Sequence, residues 1–230
     1  MKIAIIGAMQ EEVEILKASL AGANTIQAEY LEVFAGTLSG HDIFLVQSGI
    51  GKVASAVATS ILIQSFSPDL VINTGSAGGF DPELNIGDIV VADSLIHHDA
   101  DLTNFGYALG QLPSMPARFV ANASFSEKAY TAADSLPDIK VKSGLICSGD
   151  QFICDDKVAQ GIQQNFPDMK AVEMESAAIA QCCHMMDTPF VIIRSLSDIA
   201  GKTSTVSFEQ YLITASKNSS RLVLSMLESI

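Results

Sequence analysis

Carboxylates in unusual company are the residues that could do chemistry. In "AVEMESAAIA" (171–180) Glu173 and Glu175 stand one residue apart in a run of Ala, Val, Met and Ile. A charged side chain in such surroundings loses hydration and needs a partner that is not water. In "RSLSD" (194–198) Arg194 and Asp198 follow the apolar run "FVII". Asp198 reads equally as a ligand group and as a cap for the turn "DIAGK". In "GAMQEEVE" (7–14) three acids crowd the start of a helical pattern, where the macrodipole favours negative charge, and composition does not say which one is special.

Other motifs are weaker. "SGIGK" (48–52) fails as a phosphate loop, because Val46 and Val53 stand where Gly and Ser or Thr are needed. "GAMQEE" lacks the glycines of a dinucleotide site. "HHDAD" (97–101) offers clustered His and Asp, but neither His41 nor His184 has a claim as a further ligand, so a polar loop or interface is preferred to a metal. His184, between Cys183 and Met185, reads as core or surface rather than catalytic. "NTGSAGG" (73–79) is nearly bare backbone, open to a ligand or to a tight turn. Phe152, in "CSGDQFICDD" (147–156), either stacks on a flat ring or plugs the core.

Elements must bring these groups together. Apolar, β-branched runs at 2–7, 69–75, 87–95, 142–149 and 190–198 read as strands, and 31–49 as a hairpin turning at "SGHD". Helical patterns fill about 9–20, 51–66, 124–135, 155–165, 175–187 and 207–229. Alternation of this kind predicts an α/β fold, a mostly parallel sheet covered on both faces, in one domain over 1–230. Ligands of such sheets sit beyond the carboxyl ends of the strands, where "GAMQEE", "SGIGK", "NTGSAGG", "CSGDQFI", "EMES" and "RSLSD" all fall.

The chain of 230 residues is 48% hydrophobic with a mean hydropathy of +0.32, enough for a large core. Thirteen basic against 26 acidic residues give a net charge of −13, which disfavours nucleic acid and anionic membrane as partners. No apolar run reaches the length of a membrane span, and "MKIAIIGAMQEEVE" reads as a strand and helix rather than a signal peptide. The four cysteines show no framework spacing and read as free core thiols of a reducing cytoplasm.

Taken in order, "GAMQEEVE", "SGIGKVASA", "INTGSAGG", "HDADLTNFGYALGQLP", "SGDQFI", "AVEMESAAIA" and "RSLSDIA" resemble the 5′-methylthioadenosine/S-adenosylhomocysteine nucleosidases, of the nucleoside phosphorylase-like superfamily. The resemblance runs over essentially the whole chain, with Gln10 a departure where many relatives have an acid. It implies a three-layer αβα sandwich around a mixed sheet, a cytoplasmic homodimer, and hydrolysis of a 5′-thio-substituted adenosine to adenine and the thioribose, as in methionine salvage. It implies that Glu12 activates water, that Asp198 protonates adenine N7, and that Glu175 holds the ribose hydroxyls beside Met174. Ser76 and Arg194 would help place the water, with Gly78 in the same loop and Ser197 beside Asp198. Phe152 would stack on adenine while the Ile153 backbone reads its edge. Met9, Ile50 and Phe208 would line the sugar and thioalkyl pocket. Leu102, Phe105 and Pro113 would close it from the partner subunit, an interface role for "HHDAD". No cofactor or metal is required.

The chemistry then asks Glu12 to be ionised, as a helix N-terminus favours, and Asp198 to carry a proton, as a dry pocket favours. Two vicinal hydroxyls can satisfy Glu175 where water cannot, and its charge suits a cationic sugar. Glu173 would lie roughly 200° away if the segment is helical and reads as structural. Only Arg118, Arg194 and Arg221 are arginines, and a phosphate charge about 4 Å from Glu12 would cost about 4 kcal/mol per unit pair. Water is the expected nucleophile. A nucleosidase for another adenine nucleoside, such as aminofutalosine, and a nucleoside-binding protein are the rival expectations.

Overall fold

Short β-branched runs that are buried from end to end force strands into the middle of the molecule. In a computed structural model, which describes residues 1–200 and 204–230 and the side chains outside 201–207, β1 (Lys2–Gly7) is buried from Ile3 onward. It is flanked on both sides by parallel partners, β4 (His41–Gln47) and β5 (Leu70–Gly79). A central strand has two covered faces, which is why "KIAIIG" does not alternate. β10 (Phe190–Ile199) pairs parallel with β5 and antiparallel with β6 (Ile89–His97), which runs parallel to β8 (Val141–Ser148). β8 in turn carries β9 (Met169–Glu173) in parallel, and β7 (Phe119–Val120) pairs with β6. The expected hairpin is present as β3 (Leu31–Leu38) and β4, turning at Ser39 and Gly40 with positive φ. The sheet is therefore mixed.

Helices cover both faces. α2 (Lys52–Phe66) and α5 (Ser176–Met185) give Ala58, Leu62, Ile179 and Cys183 to a core with Ile6, Val71 and Ile192. On the opposite face α1 (Gln10–Ala18), α3 (Ala123–Ala132) and α6 (Ser204–Ser229) pack Leu16, Ala129 and Leu222 onto Ile5, Ile72 and Ile193. Odd and even residues of one strand thus feed two cores, the signature of a three-layer αβα sandwich. α4 (Asp156–Asn165) covers a third, smaller cluster through Ala159 and Ile162. None of the described helices is long and apolar enough to cross a membrane.

Three elements depart from expectation. β2 (Ala21–Ala28) is an edge strand, mostly exposed, so "AGANTIQA" shows no apolar alternation. β7 has only two residues. β9 ends at Glu173 and α5 begins after Glu175, so Glu173 and Glu175 flank a strand-to-helix junction and the helical angle between them does not apply. The cysteines also differ from a set of core thiols: Cys147 and Cys183 are buried, Cys182 is half-buried, and Cys154, in the loop before α4, is exposed.

Candidate active site

Six strand ends converge on one cavity of about 350 Å³. Met9 and Glu12 enter it from the β1–α1 turn, Ile50 from the loop before α2, and Ser76 and Gly78 from the end of β5. The loop after β8 adds Phe152 and Ile153, the β9–α5 junction Met174 and Glu175, β10 Ser197 and Asp198, and α6 Phe208. Ala8, Ala77, Gln151 and Val172 also line it; each lies inside a stretch that the sequence singles out, "GAMQEE", "NTGSAGG", "CSGDQFI" and "AVEMESAAIA", but none carries a signal of its own. A larger cavity, of about 950 Å³, lies where α4 and α6 approach the loop after β5 and contains none of these groups. Convergent polar groups in an apolar wall make the smaller one the candidate site.

Glu12 sits in the first turn of α1. That turn packs tightly on β1, since a Cβ at Gly7 would stand 2.7 Å from Val13 Cγ1. Its Oε2 accepts from the backbone N–H of Ala8 (2.8 Å) and Met9 (3.2 Å). Its Oε1 accepts from the Ser76 N–H (2.9 Å) and hydroxyl (3.0 Å). Of the three acids in "MQEEVE", geometry thus singles out the one whose carboxylate is only 2% exposed as a residue and turned inward.

Asp198 is aimed by an irregularity. Leu196 pairs with Ala77 and Asp198 with Gly78, so Ser197 is an extra residue and β10 bulges. A bulge reverses the alternation beyond it. Asp198 therefore leaves the face that carries Ile192 and Leu196 into the core and joins the cavity, with Ser197 Oγ donating to its Oδ1 at 2.9 Å. The alternative reading, a cap for "DIAGK", runs into residues 201–203, outside the described residues.

Glu175 occupies the N-cap of α5. Its Oε1 accepts from the Gly51 N–H at 2.8 Å, from a turn whose φ of +95° suits glycine. Burial, then the charges of Glu173 and Glu12, push its carboxyl up to about 7, against the pull of Arg194 and the Gly51 N–H. Arg194 is 1% exposed and lies behind the cavity wall. Its Nη2 donates to Glu173 (2.5 Å), Asn73 Oδ1 (2.7 Å) and, at 3.3 Å, Glu175. Its Nη1 reaches the Ser76 carbonyl at 3.4 Å.

Phe152 is 43% exposed and meets the Phe208 ring edge-on, centroids 5.5 Å apart. It faces the cavity instead of plugging the core. Leu102, Phe105 and Pro113 do not line this chain's own cavity; Phe105 is 79% exposed on the segment after β6. Three of the "HHDAD" side chains have other partners: His97 Nε2 meets Gln181 Oε1 at 2.9 Å, Asp99 pairs with Lys52 at 2.6 Å, and Asp101 caps Thr103, whereas His98 Nε2 is buried without a hydrogen-bond partner among the described residues. Among the described residues no three His, Cys, Asp or Glu are grouped to hold a metal ion. His184 lies on the surface, edge-on to Phe119.

Residues 2–228 match the model of the phosphorylase superfamily. A 5′-methylthioadenosine/S-adenosylhomocysteine nucleosidase of Tolumonas auensis is 51% identical over 230 residues, all of both chains. The chain belongs to the 5′-methylthioadenosine/S-adenosylhomocysteine nucleosidase family. A nucleosidase of this family from Colwellia psychrerythraea, solved with adenine, superposes with a TM-score of 0.97 at 53% identity, covering 99% of this chain and 94% of that one. A family member from Neisseria meningitidis, in complex with methylthio-immucillin-A, gives 0.98 at 44% identity, covering 100% and 99%. The fold is that of these nucleosidases.

Proposed function

We propose that the protein hydrolyses the N-glycosidic bond of 5′-methylthioadenosine and S-adenosylhomocysteine, releasing adenine and the thioribose. One observation carries the choice of water over phosphate. The described cavity wall holds Glu12, Glu175 and Asp198 and no Lys or Arg, while Arg194 stands behind it already engaged with Glu173. A dianion there would meet carboxylates and no cation, whereas a sugar becoming positive would be stabilised. The adenine and nucleoside-analogue complexes of the family relatives support the same substrate class.

In this reading Asp198 donates a proton to N7 of the departing adenine, and Glu12 deprotonates the water that attacks the anomeric carbon. The Ser76 hydroxyl, now on Glu12, turns to hold that water. Arg194 assists by fixing the Ser76 carbonyl and Glu175 from behind. Glu175 accepts from the ribose hydroxyls beside Met174. Adenine stacks on Phe152 and is read by the Ile153 backbone. Met9, Ile50 and Phe208 surround the sugar and thioalkyl group. Leu102, Phe105 and Pro113 reach the pocket of a second copy in a homodimer, a role supported by the exposure of Phe105. The free thiols support a cytoplasmic setting, and β5 pairing with β10 across the chain supports one domain over 1–230.

The test is adenine release from methylthioadenosine in phosphate-free buffer, with methylthioribose identified as co-product. A strict phosphate requirement with sugar 1-phosphate formed makes it a phosphorylase. Binding without release makes it a nucleoside-binding protein. The kcat/KM for aminofutalosine measured alongside ranks the substrates.

A further inference from the structure

Glu173 lines the cavity yet has no part in the reaction above, and it is a heavily engaged buried carboxylate. Only 7% exposed, it accepts from Arg194 Nη2, from the N–H of Glu175 (2.9 Å), from the N–H (2.9 Å) and hydroxyl (2.9 Å) of Ser176, and from the Ser148 hydroxyl. An ionised carboxylate offers about four acceptor sites, so Glu173 has little left for a ligand. Glu175 is the opposite case. Among the described residues its partners are the Gly51 N–H and, at 3.3 Å, Arg194, and it lines the cavity.

The two acids compete for one cation. Arg194 lies at 2.5 Å from Glu173 and 3.3 Å from Glu175. A guanidinium in direct contact with Glu175 would neutralise it and occupy its oxygens. We propose that Glu173 is a positioning residue for Glu175: by retaining Arg194 and tying down the first N–H groups of α5, it keeps the Glu175 carboxylate open toward the sugar. This rests on the nucleosidase reading.

A charge effect accompanies the geometry. The groups facing Glu175 are Glu173 on β9, Arg194 on β10, Glu12 on α1 and the Gly51 N–H before α2; burial first, and then the negative charge of Glu173, raises the Glu175 carboxyl to about 7. Removing that charge lets Glu175 ionise at lower pH, and it lets Arg194 close on Glu175.

The experiment compares pH profiles of kcat/KM for methylthioadenosine in phosphate-free buffer between wild type, Glu173→Gln and Glu173→Asp. For Glu173→Gln the acid limb is expected to move down by about one pH unit while the plateau falls roughly tenfold or more. Glu173→Asp keeps the charge, so its limb is expected within about 0.3 unit of wild type, with a reduced plateau and a raised KM because the shorter arm no longer reaches both Arg194 and α5. A purely structural residue would lower the melting temperature of both variants and leave the limb in place. An unmoved limb in Glu173→Gln therefore overturns the inference. Should Glu173→Gln not fold, Glu173→Asp decides: wild-type kcat/KM and KM overturn it, and a KM rise with an unchanged limb supports it. Wild type inactive in this assay would instead sink the nucleosidase reading.

Discussion

Replacing Glu12 by Gln removes one charge and almost no volume, so its two consequences can be worked out separately. The carboxylate takes two donors on each oxygen: Ala8 and Met9 N–H on Oε2, the Ser76 N–H and hydroxyl on Oε1. An amide has one acceptor end. Turned toward α1, its oxygen keeps the two backbone donors, which cannot rotate away. Its NH2 then faces Ser76, whose hydroxyl can turn and accept but whose N–H is left without a partner. An unsatisfied buried N–H costs about 1–3 kcal/mol, and hydrogen bonds to a neutral acceptor are weaker by about 1 kcal/mol each. Relief of a buried charge offsets part of this. A net loss of about 2 kcal/mol lowers the melting temperature by roughly 4–8 °C for a domain of this size. Loss of a general base lowers the rate by about 10²–10⁴. The assay is adenine release in phosphate-free buffer well below the melting transition, with calorimetry on the same preparations. Ser76→Ala is the control, since it removes one donor and leaves the charge; about tenfold or less is expected. If Glu12→Gln releases adenine within threefold of wild type while melting as expected, the carboxylate is structural and the proposed division of labour is wrong.

Asp198→Asn is expected to fold and to lose at least 10² in kcat, most severely for substrates with the poorest leaving base; single-turnover adenine release measures it. For Glu175→Gln the expectation concerns stability. The folded-state carboxyl is raised above its ordinary range, so its contribution is fully present below about pH 4.5 and is lost as pH rises through about 7. The ligand-free Gln variant should therefore gain melting temperature relative to wild type from pH 5 to pH 8 while binding nucleoside more weakly. A constant difference across that range would refute the cause assigned. Phe105→Ser should lower kcat/KM toward methylthioadenosine and weaken self-association in sedimentation; a fully active monomer would remove the partner from the site.

Where the sequence was legible, a physical signal was strong. "KIAIIG" and "FVIIRSLSD" are too apolar for anything but buried strands, and the rule that ligands gather at strand ends located every loop that now lines the cavity. What stayed hidden depends on backbone course. β2 is an exposed edge and carries no apolar rhythm. The five-residue β9 runs almost directly into α5, so no strand is read before the helix expected at about 175–187, and the two acids of "AVEMESAAIA" could be related only by supposing a helix, although they belong to a strand end and a cap. Arg194 was placed correctly on its strand, but its side chain faces Glu173, a pairing between residues 21 positions apart that no local pattern announces.

Ser197 repays a last look as a spacer. Drawing it into regular pairing opposite Gly78 would leave every acid, base and aromatic ring of the site in the chain and would change neither charge nor hydropathy. Yet Asp198 would then fall opposite Gly79, and its carboxyl would swing to the side of Leu196, into hydrocarbon. An inventory of functional groups would still pronounce that polypeptide competent. What distinguishes it from the native one is parity: whether the count of paired residues between an anchor in the sheet and the acid is odd or even.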